Sequence, residues 1–176
     1  MRLHQLKLDY IPEQDRLLLR VSTDNQIEVR LWLTRRALRL LWPLLVQMVR
    51  ASPEIARQSN PEARNALIGM QHEQALRQAD FSQSFEDLPR DLPLGAEPVL
   101  VARIHASKDE TGNQVLGLLP LQGQGIHLTL DHTLLHSLCK LLQDVVAKAE
   151  WEIALELPTL RPLVDAEDAG APKTIN

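Results

Sequence analysis

Two histidines and the only cysteine of the chain lie close together near its C-terminal end. His132 and His136 are four residues apart, and Cys139 follows one helical turn later. On a helix these side chains emerge on one side, where two imidazoles can share a transition-metal ion. The sequence supplies no third ligand nearby and no glutamate pattern of the zinc-hydrolase type. His132, His136 and Cys139 are therefore candidate metal ligands, and the simpler alternative is two solvated histidines beside a half-buried thiol.

A further histidine, His72, stands next to Glu73 in the stretch MQHEQAL. A catalytic pairing needs a nucleophile or a second carboxylate, and the sequence identifies neither. We therefore predict that His72 lies at the edge of the core and hydrogen-bonds to a neighbour. The chain also has no glycine-rich phosphate loop and no Ser-His-Asp motif. It therefore predicts no catalytic residues, no cofactor and no enzymatic activity.

A group of arginines is the most prominent polar feature. Four of them fall on one face of a predicted helix, and a fifth precedes them on a predicted strand beside a tryptophan. Guanidinium groups bind phosphate or carboxylate through paired hydrogen bonds. Arg35 and Arg36 would meet the positive end of the helix dipole, so helix stability does not explain their position. Alternatively, the arginines are solvated or pair with nearby acids such as Asp24 and Glu28. The candidate interaction surface is Arg30, Trp32, Arg35, Arg36, Arg39 and Arg50.

Charge is divided unevenly along the chain, whose formal net charge is −4. The first 50 residues carry +4 and the remainder carries −8. The overall balance favours neither nucleic acid nor an acidic membrane surface as a partner. The longest apolar run, LRLLWPLLVQMV, is too short to span a bilayer, and the N-terminal stretch lacks the apolar core of a signal peptide. We therefore predict a cytoplasmic protein with no membrane partner.

The elements that position these residues begin with three short strands. Alternating apolar residues predict strands in LHQLKLDY, RLLLRV and IEVRLWL. Thr34 follows as a helix N-cap, and the next residues place leucines on one face and arginines on the other. Residues 1–50 are thus predicted to form a βββα unit.

A second unit of the same kind is predicted 97 residues later. At this offset Thr34 aligns with Asp131, another N-cap residue, and the two leucine stripes coincide. Residues 98–157 therefore form the second βββα unit, with PVLVARIHAS as its first strand and a helix from Asp131 to about Glu150. The agreement predicts an internal repeat. The alternative is that any two amphipathic strand–cap–helix units align this well.

The two units together predict an α+β fold, in which the helices pack on one face of an antiparallel sheet or pair of sheets. Residues 51–97 are predicted as a helical connector followed by a Pro-rich link, and residues 158–176 as a flexible tail. A single compact domain is therefore predicted over residues 1–157. Because several strands carry apolar residues on both faces, the second face needs a cover. The connector, the tail or a second copy of the chain, in a homodimer, would provide it.

Three stretches, DRLLLRVST, WLTRRALRLLWPLL and HEQALRQADFSQSF, resemble a family of conserved proteobacterial proteins of unknown function. The resemblance covers most of the chain except the acidic tail, and it implies no activity, cofactor or site residue. The strands-then-helix plan is also similar to that of the Whirly-type single-strand nucleic-acid binders, as a likeness of fold alone. The chain departs from those binders in its few aromatic residues for base stacking and its acidic balance.

The function predicted from the sequence is that of a non-enzymatic cytoplasmic protein-interaction module, with a homodimer as one arrangement. The sequence does not identify its protein partner. One alternative is a single-stranded nucleic-acid-binding module that uses the arginine-rich helix face. A second alternative is a metal-dependent enzyme that uses His132 and His136.

Overall fold

The computed structural model describes residues 3–79, 85–88 and 90–159 of the 176-residue chain. These residues form two sheets and four helices, which confirms the predicted α+β class. None of the described helices is both long enough and apolar enough to cross a bilayer.

The described elements fall into a first unit of three strands and a helix, a helical connector, and a second unit of four strands and a helix. The first unit consists of β1 (Leu3–Ile11), β2 (Arg16–Thr23), β3 (Glu28–Leu33) and α1 (Arg35–Arg50). The connector contains α2 (Pro53–Ala56) and α3 (Pro61–Gln78). The rest of the described chain forms β4 (Val99–Leu100), β5 (Arg103–Lys108), β6 (Gln114–Leu119), β7 (Ile126–Leu130) and α4 (His132–Ala149).

The first sheet has the strand order β1-β2-β3-β4, and the second has the order β5-β6-β7. In the first sheet, Leu8, Leu19 and Leu31 lie opposite one another on neighbouring strands. Leu19 and Leu31 are almost fully buried, whereas Arg30 and Trp32 on the opposite face are half-buried. The alternation in the sequence therefore predicted the inner face of this sheet correctly.

Each of the two long capped helices packs on the sheet of the other unit. Helix α1, from the first unit, contacts β5 as well as β3 of its own sheet, and helix α4, from the second unit, contacts β1 as well as β7 of its own sheet. The two helices also contact each other. One hydrophobic core consequently contains buried residues of both units. This exchange means that neither unit covers its own sheet with its own helix alone.

The stretch predicted as the first strand of the second unit passes between the two sheets. Val99–Leu100 pairs in parallel with β3, and Arg103–Lys108 pairs antiparallel with β6. Between them, the Val101 amide donates to the Trp32 carbonyl at 3.0 Å, and the next amide donates to the Leu119 carbonyl at 2.9 Å. The stretch predicted as one strand is therefore two strands in different sheets, because the chain changes its hydrogen-bonding partner after Val101.

After α4 the chain turns back along the helices. Glu150 has a left-handed backbone conformation (φ 51°) at the end of α4. Leu155 and Leu157 are buried, and the Leu155 carbonyl accepts a hydrogen bond from Gln143 Nε2 at 2.7 Å. The Glu156 carbonyl accepts one from Trp42 Nε1 at 3.3 Å. The sequence left open whether this stretch extends the helix or folds back, and the structure shows that it folds back.

Parts of the predicted connector and tail lie outside the described residues. In the connector these are residues 80–84 and 89, and in the tail they are residues 160–176. Of the predicted tail, only Pro158 and Thr159 are described, and Thr159 lies against α3 beside Gly69.

Matching N-caps begin α1 and α4. Thr34 Oγ1 accepts a hydrogen bond from the Ala37 amide at 3.1 Å, and Asp131 Oδ1 accepts one from the Leu134 amide at 2.8 Å. Each bond satisfies an amide in the first turn that has no partner within the helix. The two residues thus occupy the same strand-to-helix junction in both units, as predicted.

We predict that Thr34→Ala and Asp131→Ala each lower the free energy of unfolding by about 1 kcal/mol, because each removes the acceptor of a first-turn amide. Urea denaturation followed by circular dichroism measures the change. Thr34→Ser keeps the hydroxyl and is the matched control, with near wild-type stability expected. Wild-type stability in both alanine variants would contradict the assigned caps.

Candidate functional site

The exposed side of α1 carries three arginines that form no ion pair with any described residue. Arg36, Arg39 and Arg50 are exposed, and α1 contains no Asp or Glu that could pair with them along the helix. Leu40, on the same exposed side, leaves half of its surface open to solvent (50%). This side of α1 therefore presents three guanidinium groups and one leucine to a partner.

Arg35, also predicted to belong to this surface, contributes to a structural junction instead. Its guanidinium pairs with Asp15 at 3.0 Å and lies over the ring of Trp151, 5.4 Å from the ring centre. Asp15 also accepts hydrogen bonds from Trp151 Nε1 at 2.7 Å and from the Tyr10 hydroxyl at 3.1 Å. The bonds from Trp151 and Arg35 lower the pKa of Asp15. This junction explains an arginine at the start of a helix, where the dipole alone disfavours it.

Arg30 is likewise engaged, on the outer face of the first sheet. Its Nε donates to the Glu28 carboxylate at 2.7 Å, and Arg20 Nε donates to the same oxygen at 2.8 Å. Arg90 reaches the other carboxylate oxygen at 3.4 Å. Burial would raise the pKa of Glu28, but the hydrogen bonds from Arg20 and Arg30 outweigh it and lower the pKa to about 2. The ring of Phe85 packs under Arg20 and Arg90, so the link covers this part of the sheet.

Trp32 lies on the same outer face as Arg30. In the register of the sheet it stands between Leu18 and Leu100, and it is half-buried. Helix α1 packs into the core, which lies on the other face. The six residues predicted as one interaction surface are thus divided between two faces. On α1, the members without an ion pair to any residue that the structure describes are Arg36, Arg39 and Arg50.

The histidines form a cluster between α3 and α4. His136 is only 1% exposed, and its Nδ1 lies 3.0 Å from Nδ1 of His72, so one imidazole donates a proton that the other accepts. Burial, together with the nearby His132 and His72, lowers the pKa of His136 to about 3. Burial also lowers the pKa of His72. The pair is therefore neutral at pH 7.

These positions revise part of the sequence-based interpretation. His72 does hydrogen-bond to a neighbour at the edge of the core, as predicted. His136 was expected to be solvated, and this was wrong because α3 packs along that side of α4. His132 is exposed, with its ring centre 4.6 Å from that of His136. Cys139 is fully buried, and its burial raises the pKa of the thiol to about 12.

The candidate metal ligands do not assemble into a recognisable metal centre. Across residues 3–79, 85–88 and 90–159, no group of three or more His, Cys, Asp or Glu side chains is placed to hold a metal ion. The third imidazole of the cluster, His72, comes from another helix. Its hydrogen bond occupies the Nδ1 atoms of both His72 and His136.

A groove of about 830 Å³ lies beside the C-terminal end of α1. Its walls come from α1, α3, α4 and the returning residues 155–159. Apolar atoms line it on Val46, Leu155 and Leu157. Its polar side chains are Arg50, Asn65, His72, Gln143, Glu156 and Thr159. Arg50 therefore belongs both to the exposed arginines of α1 and to the groove.

Sequence reasoning missed most of the groove, and it named Glu28 as a possible partner of the arginine group without identifying Arg20 and Arg90 as further partners. Asn65, Gln143 and Glu156 come from three separate elements, so no spacing in the sequence relates them. Glu28 lies two residues from Arg30, and this proximity was the available signal for an internal ion pair.

No family model, curated protein or solved structure matches this chain. The resemblance to a proteobacterial family stays a prediction.

We predict that acidification from pH 7.5 to pH 5 destabilises the fold through His136. Its pKa is about 3 in the folded protein against an ordinary 6.5, so in this interval the unfolded chain binds a proton that the folded protein does not. The free energy of unfolding should therefore fall below pH 6.5, by up to about 1.4 kcal/mol per pH unit. The lowered pKa of His72 acts in the same direction.

Denaturation at both pH values measures this loss. At pH 5 Glu28 contributes little to it, because a carboxyl with the ordinary pKa of 4.5 is still mostly ionised in the unfolded chain. His136→Phe should lose less stability between pH 7.5 and pH 5 than the wild type does. An unchanged slope in His136→Phe would contradict the assignment.

Proposed function

We propose that this protein is a non-enzymatic, cytoplasmic interaction module that binds an acidic segment of a partner protein on the exposed side of α1. The observation that carries the proposal is the set Arg36, Arg39 and Arg50. All three are exposed and form no ion pair with a described residue, on a helix without acidic side chains. The chain has a net charge of −4, but this side of α1 carries three exposed arginines. It is therefore a local basic surface that can bind carboxylates.

Among residues 3–79, 85–88 and 90–159, none forms an ion pair with Arg36, Arg39 or Arg50 that would explain these arginines by the fold. Arg35 and Arg30 hold Asp15 and Glu28, so their positions follow from the fold itself. Arg36 stands in the first turn of α1, where a positive charge meets the positive end of the helix dipole. A bound carboxylate would offset that unfavourable interaction. Binding of a partner carboxylate would therefore explain the position of Arg36 in the first turn of α1, which the fold alone does not explain.

The groove supports a partner segment with both acidic and apolar side chains. Arg50 stands at its edge, while Val46, Leu155 and Leu157 provide apolar walls. A volume of about 830 Å³ lies in the usual range of ligand clefts. In this arrangement a carboxylate of the partner pairs with Arg50, and an adjacent apolar side chain enters the groove.

A protein partner fits this surface better than single-stranded nucleic acid. Bases need exposed aromatic rings on which to stack. Within the described part of the chain, the aromatic side chains Tyr10, Trp32, Trp42, Phe85 and Trp151 are buried or half-buried. Nucleic acid, bound through phosphates at Arg36 and Arg39, is the alternative function. We propose no metal-dependent enzyme, because His136 is buried against His72.

The test is charge reversal at two exposed arginines, Arg36→Glu with Arg39→Glu. Fluorescence anisotropy at low salt would measure binding to a labelled peptide of alternating glutamate and leucine, and to a labelled oligothymidine. We expect the wild type to bind the peptide and the double variant to bind it at least about tenfold more weakly, since two ion pairs become repulsive.

Arg77→Glu with Lys148→Glu is the matched control, because both side chains are exposed and the net charge changes equally. It should leave peptide affinity near the wild-type value. An equal loss in the control, or no peptide binding by the wild type, would contradict the proposal. Binding to the oligothymidine alone would favour the nucleic-acid alternative instead.

A further inference from the structure

The outer face of the second sheet carries two exposed histidines on either side of a glycine. In the register, His105 on β5 lies opposite Gly117 on β6, and Gly117 lies opposite His127 on β7. Residues directly opposite one another project from the same face of a sheet. Both imidazoles are exposed, and glycine places no side chain between them.

The two rings approach each other across the central strand. Strands separated by one neighbour lie about 9.5 Å apart, but the ring centres of His105 and His127 are only 5.4 Å apart, with planes inclined at 58°. The His105 ring lies directly over Gly117, because a Cβ atom there would come within 2.2 Å of its Cε1 atom. The absence of a side chain at position 117 therefore permits this approach.

This spacing suits the binding of one ion by both rings. Zinc binds imidazole nitrogen at about 2.0–2.1 Å in tetrahedral geometry, which places two coordinating rings with their centres about 5 Å apart. The observed separation of 5.4 Å is close to that value. We propose that His105 and His127 form a binding site for one late transition-metal ion such as Zn²⁺. The inference is independent of the proposed function, because it involves neither α1 nor the groove.

In this site the two histidines are the protein ligands, and the other coordination positions of the metal ion are open to solvent. Strands β5, β6 and β7 contain no Asp or Glu that could add a carboxylate. Arg103 projects from the same face, but its Nε donates to the Pro120 carbonyl at 3.0 Å. Water or another small donor would complete the coordination sphere. The site is separate from the cluster of His72, His132 and His136, whose residues lie on α3 and α4.

Titration of the untagged full-length protein with zinc chloride, followed by isothermal calorimetry, tests the proposal. We expect one ion per chain, and at least about tenfold weaker binding in both His105→Ala and His127→Ala. His132→Ala is the control and should bind zinc as the wild type does. No binding by the wild type would overturn the proposal, as would a loss confined to His132→Ala.

Gly117→Ala tests the geometry without removing either imidazole. The added methyl group must displace the His105 ring, so zinc binding should weaken about tenfold or more. Circular dichroism would confirm that the variant remains folded. Wild-type zinc affinity in a folded Gly117→Ala protein would overturn the arrangement proposed here. If that variant does not fold, the two histidine variants still decide the question.

Discussion

Helix α4 packs on the first strand of the first sheet, while α1 packs on the first strand of the second sheet, and this exchange determines the rest of the structure. The leucine stripes of both helices and the inner faces of both sheets share one core. Full burial of each leucine contributes about 1.5–3 kcal/mol, and much of this contribution requires both units together. The backbone at Val101 also links the two units, because its amide bonds to the first sheet and the next amide bonds to the second sheet.

The exchange also decides which side of α1 faces solvent. Contacts with β5 and α4 bury the apolar sides of α1, and the chain returning after α4 forms one wall of the groove beside its end. Asp15 binds Arg35 where the first hairpin, α1 and Trp151 meet, and Glu28 binds Arg30 beneath the link. Of the arginines that the sequence grouped as one surface, Arg36, Arg39 and Arg50 have no ion pair with a described residue, and these three lie on one side of α1. The proposed binding surface is what remains after the internal ion pairs have formed.

Much of this fold could be predicted from local patterns, because strands, caps and amphipathic helices depend on residues near in sequence. Thr34 and Asp131 were recognised as caps for that reason, and the core side of β3 was recognised from alternation. The exchange could not be predicted, since a leucine stripe looks the same whichever sheet it covers. The burial of His136 was missed for a similar reason, because helical spacing shows which side chains share a face but not that α3 covers that face. Six candidate surface residues were grouped by sequence proximity, whereas Arg30 and Trp32 project from a different face of the molecule.

The most direct test of the exchanged helices is fragment complementation with residues 1–97 and 98–176, produced separately. If each sheet depends on the helix of the other unit, neither fragment alone should show a cooperative unfolding transition by circular dichroism. An equimolar mixture should recover the spectrum and the cooperative transition of the intact chain. Cooperative unfolding of either fragment by itself, with stability close to that of the whole protein, would contradict the account.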